Sequence, residues 1–351
     1  MNFSQYTQLT IDQHLLKGDE IIDYCQSSPH ENIRSIGVFI KEWLNENPYI
    51  KVSTSGSTGS PKTIEVEKNQ MLQSASATAK FFDFQRGHSA LLCLPMSYIA
   101  GKMMVVRALY SQLNLVCIEP SASPLAALPI DQVIHFAPLT PMQLKDTTTT
   151  RAVRKILLGG GPVDIELEHQ LQSLNADIYH GYGMTETLSH VALRRVNGPQ
   201  KSEVYHALPQ VKFQLDPRDC LVIEVPFLKE KVVTNDIVEL INEQKFIWKG
   251  RSDNVINSGG IKLFPEVIEK KISPHIQERF FIAGIPDTIL GEKVCLFIES
   301  PPYEKEKLDS LNVHMKVGLK KHEFPKEIFF IPIFAETKSG KIQRKKSINK
   351  R

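Results

Sequence analysis

Between Glu31 and Glu46, residues Ile33, Ile36, Ile40, Trp43 and Leu44 recur on one face at helical spacing, and Pro48 follows. This predicts an amphipathic helix whose apolar stripe is core packing. From residue 49 the pattern changes to short apolar runs. Tyr49–Val52, Ala90–Leu94, Leu113–Ile118, Gln132–Phe136, Lys155–Leu158 and Ala176–His180 read as buried strands. Between several of them, Lys68–Phe82, Gly101–Gln112, Thr140–Lys145 and Asp164–Leu174 suit helices, with Thr140-Pro141 as an N-cap followed by proline at the first helical position. Such alternation predicts an α/β fold with a mainly parallel sheet, whose ligands sit beyond the carboxyl ends of the strands.

Over residues 200–250 the texture turns strand-rich. Val211–Leu215, Leu221–Val225, Val232-Val233, Ile237–Ile241 and Phe246–Trp248 follow one another with polar turns and no helix, which predicts an antiparallel or barrel-like unit. Beyond Gly250-Arg251, helical segments (Pro265–Ile272, Tyr303–His322) mix with strands (Phe280–Ala283, Val294–Glu299, Glu327–Ile331), as in a small α+β domain. The expected division is therefore a large domain, 1–252, and a C-terminal domain, 253–351, with the boundary at Asp253.

Composition narrows the function classes. The chain has 351 residues, 42% hydrophobic and 23% charged, close to ordinary globular usage. A net charge of +3 is too small to argue for nucleic acid. Positive charge concentrates in Lys338, Lys341, Arg344, Lys345, Lys346, Lys350 and Arg351, and its last residues read as a solvated tail. The five cysteines are scattered, without CxxC spacing, which suits buried thiols in a reducing compartment and neither disulfides nor zinc. The start of the chain lacks a secretory pattern and no apolar run is long enough to span a membrane, so a cytoplasmic protein is expected. Self-association as a homodimer is left open.

The strongest chemical signal is Thr54-Ser55-Gly56-Ser57-Thr58-Gly59-Ser60-Pro61-Lys62, directly after a strand. Its backbone N–H and hydroxyl groups can turn toward phosphate oxygens, and Lys62 adds a cation. A Walker A loop needs glycine before the lysine, where Pro61 stands, so an ordinary P-loop nucleotide hydrolase is disfavoured. Four further segments follow in order: Gly159-Gly160-Gly161-Pro162 with Gly181-Tyr182-Gly183-Met184-Thr185-Glu186; Thr234-Asn235-Asp236; Trp248–Lys262; and Ser339-Gly340-Lys341-Ile342-Gln343-Arg344. Taken singly, each reads as a tight turn, a turn aspartate or a basic tail.

Together, in this order from Thr54 to Arg344, they resemble the adenylate-forming superfamily of acyl-CoA synthetases, luciferases and stand-alone adenylation domains. The resemblance implies activation of a carboxylic acid by ATP and Mg²⁺ to an acyl-AMP, then acyl transfer to a thiol such as that of CoA. It implies that Thr54, Ser55, Gly56, Ser57, Thr58, Gly59 and Lys62 bind the nucleotide phosphates. Gly160, Gly161, Tyr182 and Gly183 would border adenine, Thr185 would contact the α-phosphate, and Glu186 would help hold Mg²⁺, a cation that takes few protein ligands. Asp236 would accept from the ribose hydroxyls and Arg251 would contact ribose or phosphate. Asp253 would be the hinge of a mobile C-terminal domain, whose Gly259, Gly260 and Lys262 face the CoA side. Lys341 would be the catalytic lysine, with Thr185 and Glu186 beside it. Asn235 stands where glycine is usual, and only Thr337 of Ala335–Lys338 keeps register with the motif that precedes the lysine.

For the acyl pocket the resemblance implies Tyr98, Gly101, Lys102, Gly159, Met184 and Ser189, with Tyr98 in place of the usual histidine. A trimmed N-terminal region, Ala-Gly-Lys-Met-Met after Tyr98-Ile99, and Thr185–His190 look most like the short bacterial o-succinylbenzoate–CoA ligases of menaquinone synthesis. Lys102 or Arg107 could pair with the second carboxylate of a diacid. Arg107 lies on another face of the predicted helix and reads as a surface ion pair, which favours Lys102. Two alternatives stay open: loading of an aryl or amino acid onto a carrier protein, and a non-catalytic adenylate-binding protein.

Overall fold

A computed structural model describes residues 2–53, 63–129, 131–145, 147, 153–337 and 342–350. The chain opens with a hairpin of β1 (Gln8–Ile11) and β2 (His14–Lys17), followed by α1 (Asp19–Gln26) and α2 (Glu31–Leu44). The stripe read from the sequence is what α2 buries: Ile33, Ile36, Ile40 and Trp43 all lie in the core.

Next, β3 (Tyr49–Ser53) pairs antiparallel with β4 (Thr63–Glu67) in a ladder of its own. It was expected in the parallel sheet. Its side chains alternate instead, Tyr49 and Lys51 exposed, Ile50 and Val52 buried, whereas a parallel strand covered on both faces is apolar throughout.

The expected α/β alternation follows, through α3 (Lys68–Phe82), β5 (Ser89–Leu92), α4 (Ile99–Ser111), β6 (Asn114–Cys117), β7 (Ile134–Leu139), β8 (Val153–Leu158), α5 (Ile165–Leu171) and β9 (Asp177–Gly183). Thr140–Lys145 forms one 3₁₀ turn, capped as expected: the Thr140 hydroxyl accepts from the Gln143 N–H, and Pro141 takes the first position. Strands β1, β6, β5, β7, β8 and β9 lie side by side in that order, all parallel.

The strand-rich segment comprises β10 (His190–Arg195), β11 (Val204–Ala207), β12 (Lys212–Leu215), β13 (Cys220–Glu224), β14 (Val232–Asn242) and β15 (Lys245–Arg251). These strands are antiparallel and continue the same sheet, because β10 pairs with β9, β11 with β10, and β15 with β11. One ladder of 13 strands results. Thr234-Asn235-Asp236 lies inside the single strand β14 rather than between two strands.

After a 3₁₀ turn at Ser252–Asn254 comes a second sheet, built from β16 (Ile256–Ser258), β17 (Ile261–Leu263), β18 (Phe280–Asp287), β19 (Gly291–Ile298) and β20 (Glu327–Phe330), with α6 (Pro265–Ile272), α7 (Lys305–Gly318) and α8 (Arg344–Ile348). It has its own apolar clusters, one around Ile268, Leu296 and Met315, another around Phe281, Phe297 and Phe334. Part of the basic C-terminal stretch is docked: Arg344 pairs with Glu269 at 2.8 Å, and the buried Ser347 hydroxyl accepts from the Ala335 N–H. Lys345, Lys346 and Lys350 are exposed, as expected of a solvated end. Among the described residues no helix is long and apolar enough to cross a membrane.

One buried amide closes the sheet where its parallel and antiparallel parts meet. Asn197 donates to the carbonyls of Leu171, Leu174 and Ala176, and its side-chain oxygen accepts from the Ile178 N–H and from Arg195 Nε. Asn197→Ala orphans several of these groups at once and is expected to cost about 3 kcal/mol, since each unsatisfied buried group costs about 1–3 kcal/mol. Asn235→Ala, at a more exposed site, is expected to cost under about 1 kcal/mol. Urea unfolding midpoints of the two variants check this, and equal shifts would refute it.

Candidate nucleotide and acyl site

The carboxyl ends of the parallel strands gather the candidate residues. Gly159-Gly160-Gly161 follows β8, and the Gly159 N–H donates to the Leu139 carbonyl at the end of β7. Strand β9 runs on through Gly181-Tyr182-Gly183, so this motif is extended strand rather than the turn after one. Only glycine fits at 183, because a Cβ there would lie 2.3 Å from the carbonyl oxygen of Ser189, the residue that leads into β10. Thr185 and Glu186 sit in a 3₁₀ turn tied by the buried Thr187, whose Oγ1 accepts from the Met184 N–H. Met184 is half-buried, and the exposed Glu186 carboxylate borders an open cavity of about 460 Å³ together with Leu228, Lys229 and Lys231.

Beneath the motif lies an aromatic cluster. Tyr182 packs edge-on against Phe246 and Tyr205, and Phe246 against Phe213. The Tyr182 hydroxyl donates to Asp236 Oδ2 at 2.6 Å, while Trp248 Nε1 and Arg251 Nη1 reach Oδ1 at 3.3 and 3.5 Å. Three donors thus satisfy a buried carboxylate and leave acceptor capacity on Oδ2. Burial and the neighbouring carboxylate push the Tyr182 phenol well above its usual value, so it stays a donor. Arg251 also donates to the exposed Asp253, at 3.2 Å, in the turn where the chain leaves the first sheet.

The acyl side differs from the expectation. Arg107 was read as a surface ion pair; it is 2% exposed, and no carboxylate among the described residues pairs with it. Helix α4 is apolar all round here, with Met103, Met104, Val105, Val106 and Leu109 also buried, so no residue of this stretch faces water. Burial alone brings the guanidinium down to about 10. Nη2 donates to Ser189 Oγ at 2.5 Å, Ser189 Oγ lies 3.1 Å from His190 Nδ1, and His190 Nε2 lies 3.4 Å from Thr78 Oγ1, which donates to the Ser74 carbonyl. An arginine only donates and a carbonyl only accepts, so every proton in this relay points away from Arg107. Burial and the adjacent guanidinium hold His190 well below its usual value, and it is neutral. Arg107 Nε is buried without a partner. Lys102, the favoured residue, donates from Nζ to the Lys51 carbonyl at 2.9 Å. Tyr98 caps α4 and is half exposed, and Gly101 is buried against Pro95.

Gly259 and Gly260, at φ 58° and 82°, form the two-residue turn between β16 and β17, a left-handed pair that suits a tight hairpin. Lys262 on β17 lies 3.6 Å from Asp219 of the first sheet. Thr54, Ser55, Gly56, Ser57, Thr58, Gly59, Lys62 and Lys341 lie outside the described residues.

Sequence reading assigned no role to His180, Tyr205, Thr78 or His190. His180 Nε2 lies 3.0 Å from the Gly161 carbonyl and Nδ1 lies 2.7 Å from the Tyr205 hydroxyl. His180 and His190 adjoin motif residues, a signal that could have been used. Nothing in the sequence links Tyr205 or Thr78 to the site.

The AMP-binding enzyme family matches residues 14–217, more than half of the chain. The chain is 28% identical to the 2-succinylbenzoate–CoA ligase of Haemophilus influenzae over 92% of its own length and 75% of that protein's. It is 26% identical to the ligase of that name from Lactococcus lactis, over 87% and 71%. Among solved structures, an acyl-CoA synthetase (AMP-forming)/AMP-acid ligase II-like protein of Dyadobacter fermentans is 35% identical, covers 95% of this chain and 98% of that one, and superposes with a TM-score of 0.62. The o-succinylbenzoate CoA synthetase of Bacillus subtilis, solved with its acyl-adenylate intermediate, shares the fold at a TM-score of 0.72 and 19% identity, over 84% and 68% of the two chains. On the family match and the 35% identity with the Dyadobacter protein, the chain belongs to the AMP-binding enzyme family.

Proposed function

We propose that the chain is an AMP-forming acid–thiol ligase that converts o-succinylbenzoate to o-succinylbenzoyl-CoA in the menaquinone pathway, in the cytoplasm. The observation that carries the choice of acid is Arg107: a buried guanidinium without a carboxylate partner, beside Ser189 in the proposed acyl pocket. An unpaired buried charge is costly, and a substrate carboxylate relieves that cost. A diacid has one carboxylate to activate and one to spare for Arg107. Amino acids would bring an ammonium group instead, which this pocket would repel. The names of the curated relatives point the same way.

In the first step a carboxylate oxygen of the acid attacks the α-phosphorus of ATP, the bond to the β-phosphate oxygen breaks, and pyrophosphate leaves. Thr54–Gly59 and Lys62 hold the phosphates, Thr185 contacts the α-phosphate, and Lys341 supplies a point cation as charge develops. Glu186 fits a Mg²⁺ site of the sparse kind this ion prefers, a hard carboxylate on an open cavity that Glu230, Lys229 and Lys231 also line, with substrate oxygens to complete it. The ion would neutralise phosphate charge. Gly160, Gly161, Tyr182 and Gly183 border adenine, Asp236 accepts from ribose through its open acceptor position, and Arg251 stands beside it. Residues 253–351 turn about Asp253 as a mobile domain, withdraw Lys341 and bring Gly259, Gly260 and Lys262 toward the thiol. In the second step CoA sulfur attacks the acyl carbon and AMP leaves.

Pyrophosphate release with ATP and Mg²⁺ tests the reaction, using o-succinylbenzoate beside benzoate, a medium-chain fatty acid and amino acids, with and without CoA. Release only with o-succinylbenzoate, and consumption of CoA, is expected; turnover of amino acids instead would discard the substrate. Arg107→Met is expected to raise KM for o-succinylbenzoate at least about 100-fold with KM for ATP little changed, because removing one partner of a buried charge pair costs about 2–5 kcal/mol. Lys102→Ala should leave both nearly unchanged. Unaltered diacid kinetics in Arg107→Met would reject this pocket. Lys341→Ala should abolish adenylate formation yet spare thioester formation from supplied acyl-adenylate, and equal loss of both half-reactions would count against the rotation.

A further inference from the structure

Resting on the nucleotide reading above, we infer that His180 is a positioning residue for ATP, which fixes the distance between the Gly159–Gly161 turn and the Tyr182 platform through a one-way hydrogen-bond relay from Tyr205.

The geometry leaves one protonation pattern. Gly161 offers His180 a carbonyl, which can only accept, so Nε2 carries the proton and donates across 3.0 Å. Nδ1 is then the lone-pair nitrogen and accepts from the Tyr205 hydroxyl at 2.7 Å. Burial first, then the nearby Arg194 guanidinium, pushes the imidazole down to about 4, so the ring is neutral across the working range. A neutral histidine otherwise exchanges tautomers; the Gly161 carbonyl, which only accepts, removes that freedom, and the Tyr205 hydroxyl follows as donor to Nδ1. The relay therefore reads Tyr205 to His180 to the Gly161 carbonyl.

The three partners come from three places. Gly161 lies in the turn after β8, His180 on β9 two residues before Tyr182, and Tyr205 on β11. Gly160 has φ 81° and a Cβ built there would meet only the Thr140 methyl, at 3.8 Å, while those built on Gly159 and Gly161 meet nothing within 4 Å, so the turn is loosely packed. Besides the Gly159 N–H at its first residue, His180 is the side chain that ties it to the sheet. Tyr205 is anchored on the other side, stacked on Phe246 at 5.2 Å and edge-on to Tyr182 at 5.9 Å. The rings beneath the proposed adenine site thus hold the histidine that holds the turn above it. A turn placed this way is preorganised, and a loose one would have to be ordered on each binding event.

Calorimetric titration of ATP·Mg²⁺ into the full chain tests this without turnover. His180→Phe keeps the ring volume and drops both hydrogen bonds; it is expected to weaken ATP about tenfold while o-succinylbenzoate affinity stays within about twofold. His180→Gln retains a donor near the Nε2 position and should recover most of the loss, whereas His180→Asn, too short for Gly161, should not. Tyr205→Phe should show part of the loss. Wild-type ATP affinity in His180→Phe, with a cooperative melt, would overturn the proposal. So would equal weakening in the Gln and Phe variants, since that marks a general packing defect. A wild-type chain that takes up no ATP would sink the nucleotide reading itself, a failure distinct from both.

Discussion

The carboxylate of Asp236 is the constraint on which the arrangement of the site depends. A buried carboxylate is tolerated only when donors surround it. Here they come from Tyr182 on β9 and from Trp248 and Arg251 on β15. Strands β9 and β15 are not neighbours: β10 and β11 lie between them in the ladder. Satisfying one side chain therefore demands that the sheet curl enough to bring the end of its parallel part to the antiparallel part. The aromatic cluster of Tyr182, Tyr205, Phe213 and Phe246 fills the inside of that curl. Continuous pairing through β10 and β11 keeps the two halves from shifting against each other, so the groups assigned to adenine and ribose are set by one rigid body.

Two arginines of the site, the partly exposed Arg251 and the buried Arg107, are treated in opposite ways. Burial works against the charge on Arg251, but Asp236 and Asp253 more than offset it and hold its proton more firmly than usual. Arg107 donates to the Ser189 hydroxyl and pairs with no carboxylate among the described residues, and burial weakens its hold on the proton. The first arrangement is complete within the chain. The second is charge-deficient, and the stability lost there is recoverable by a ligand of opposite sign. That asymmetry is the physical ground on which Arg107, rather than Arg251, is proposed to meet a substrate carboxylate.

Much of the fold was legible because periodicity reports burial directly. Helix α3 was read to its terminal residues, and α2 to within two. Strands β3 and β14 were placed wrongly for an instructive reason: pattern shows that a segment is extended, whereas pairing depends on partners distant in sequence. Ladder membership of β3 was recoverable only from its alternation, with Tyr49 and Lys51 exposed and Ile50 and Val52 buried. The ordered motifs named most candidate residues, since each must sit on a strand end or tight turn with few permitted residue types. Arg107 was misjudged because a single arginine among apolar residues is more often on a surface. Only the all-round burial of α4 shows otherwise. Tyr205 and Thr78 carry no local mark at all. They matter through hydrogen bonds to histidines 25 and 112 residues away.

Both histidines of the site end up neutral with a single tautomer, for the same physical reason. In each relay one end can only donate or only accept, Arg107 in one and the Gly161 carbonyl in the other, and low solvation removes the charged alternative. A protonated ring would force the Tyr205 or Ser189 hydroxyl to turn from donor to acceptor, so burial and hydrogen-bond direction reinforce each other. The consequence is a site whose imidazoles neither take nor release protons near neutrality. The first step needs none moved, because the attacking carboxylate is already ionised and the departing pyrophosphate is stabilised by cations. A lining that holds fixed dipoles and no labile protons is what such an exchange requires.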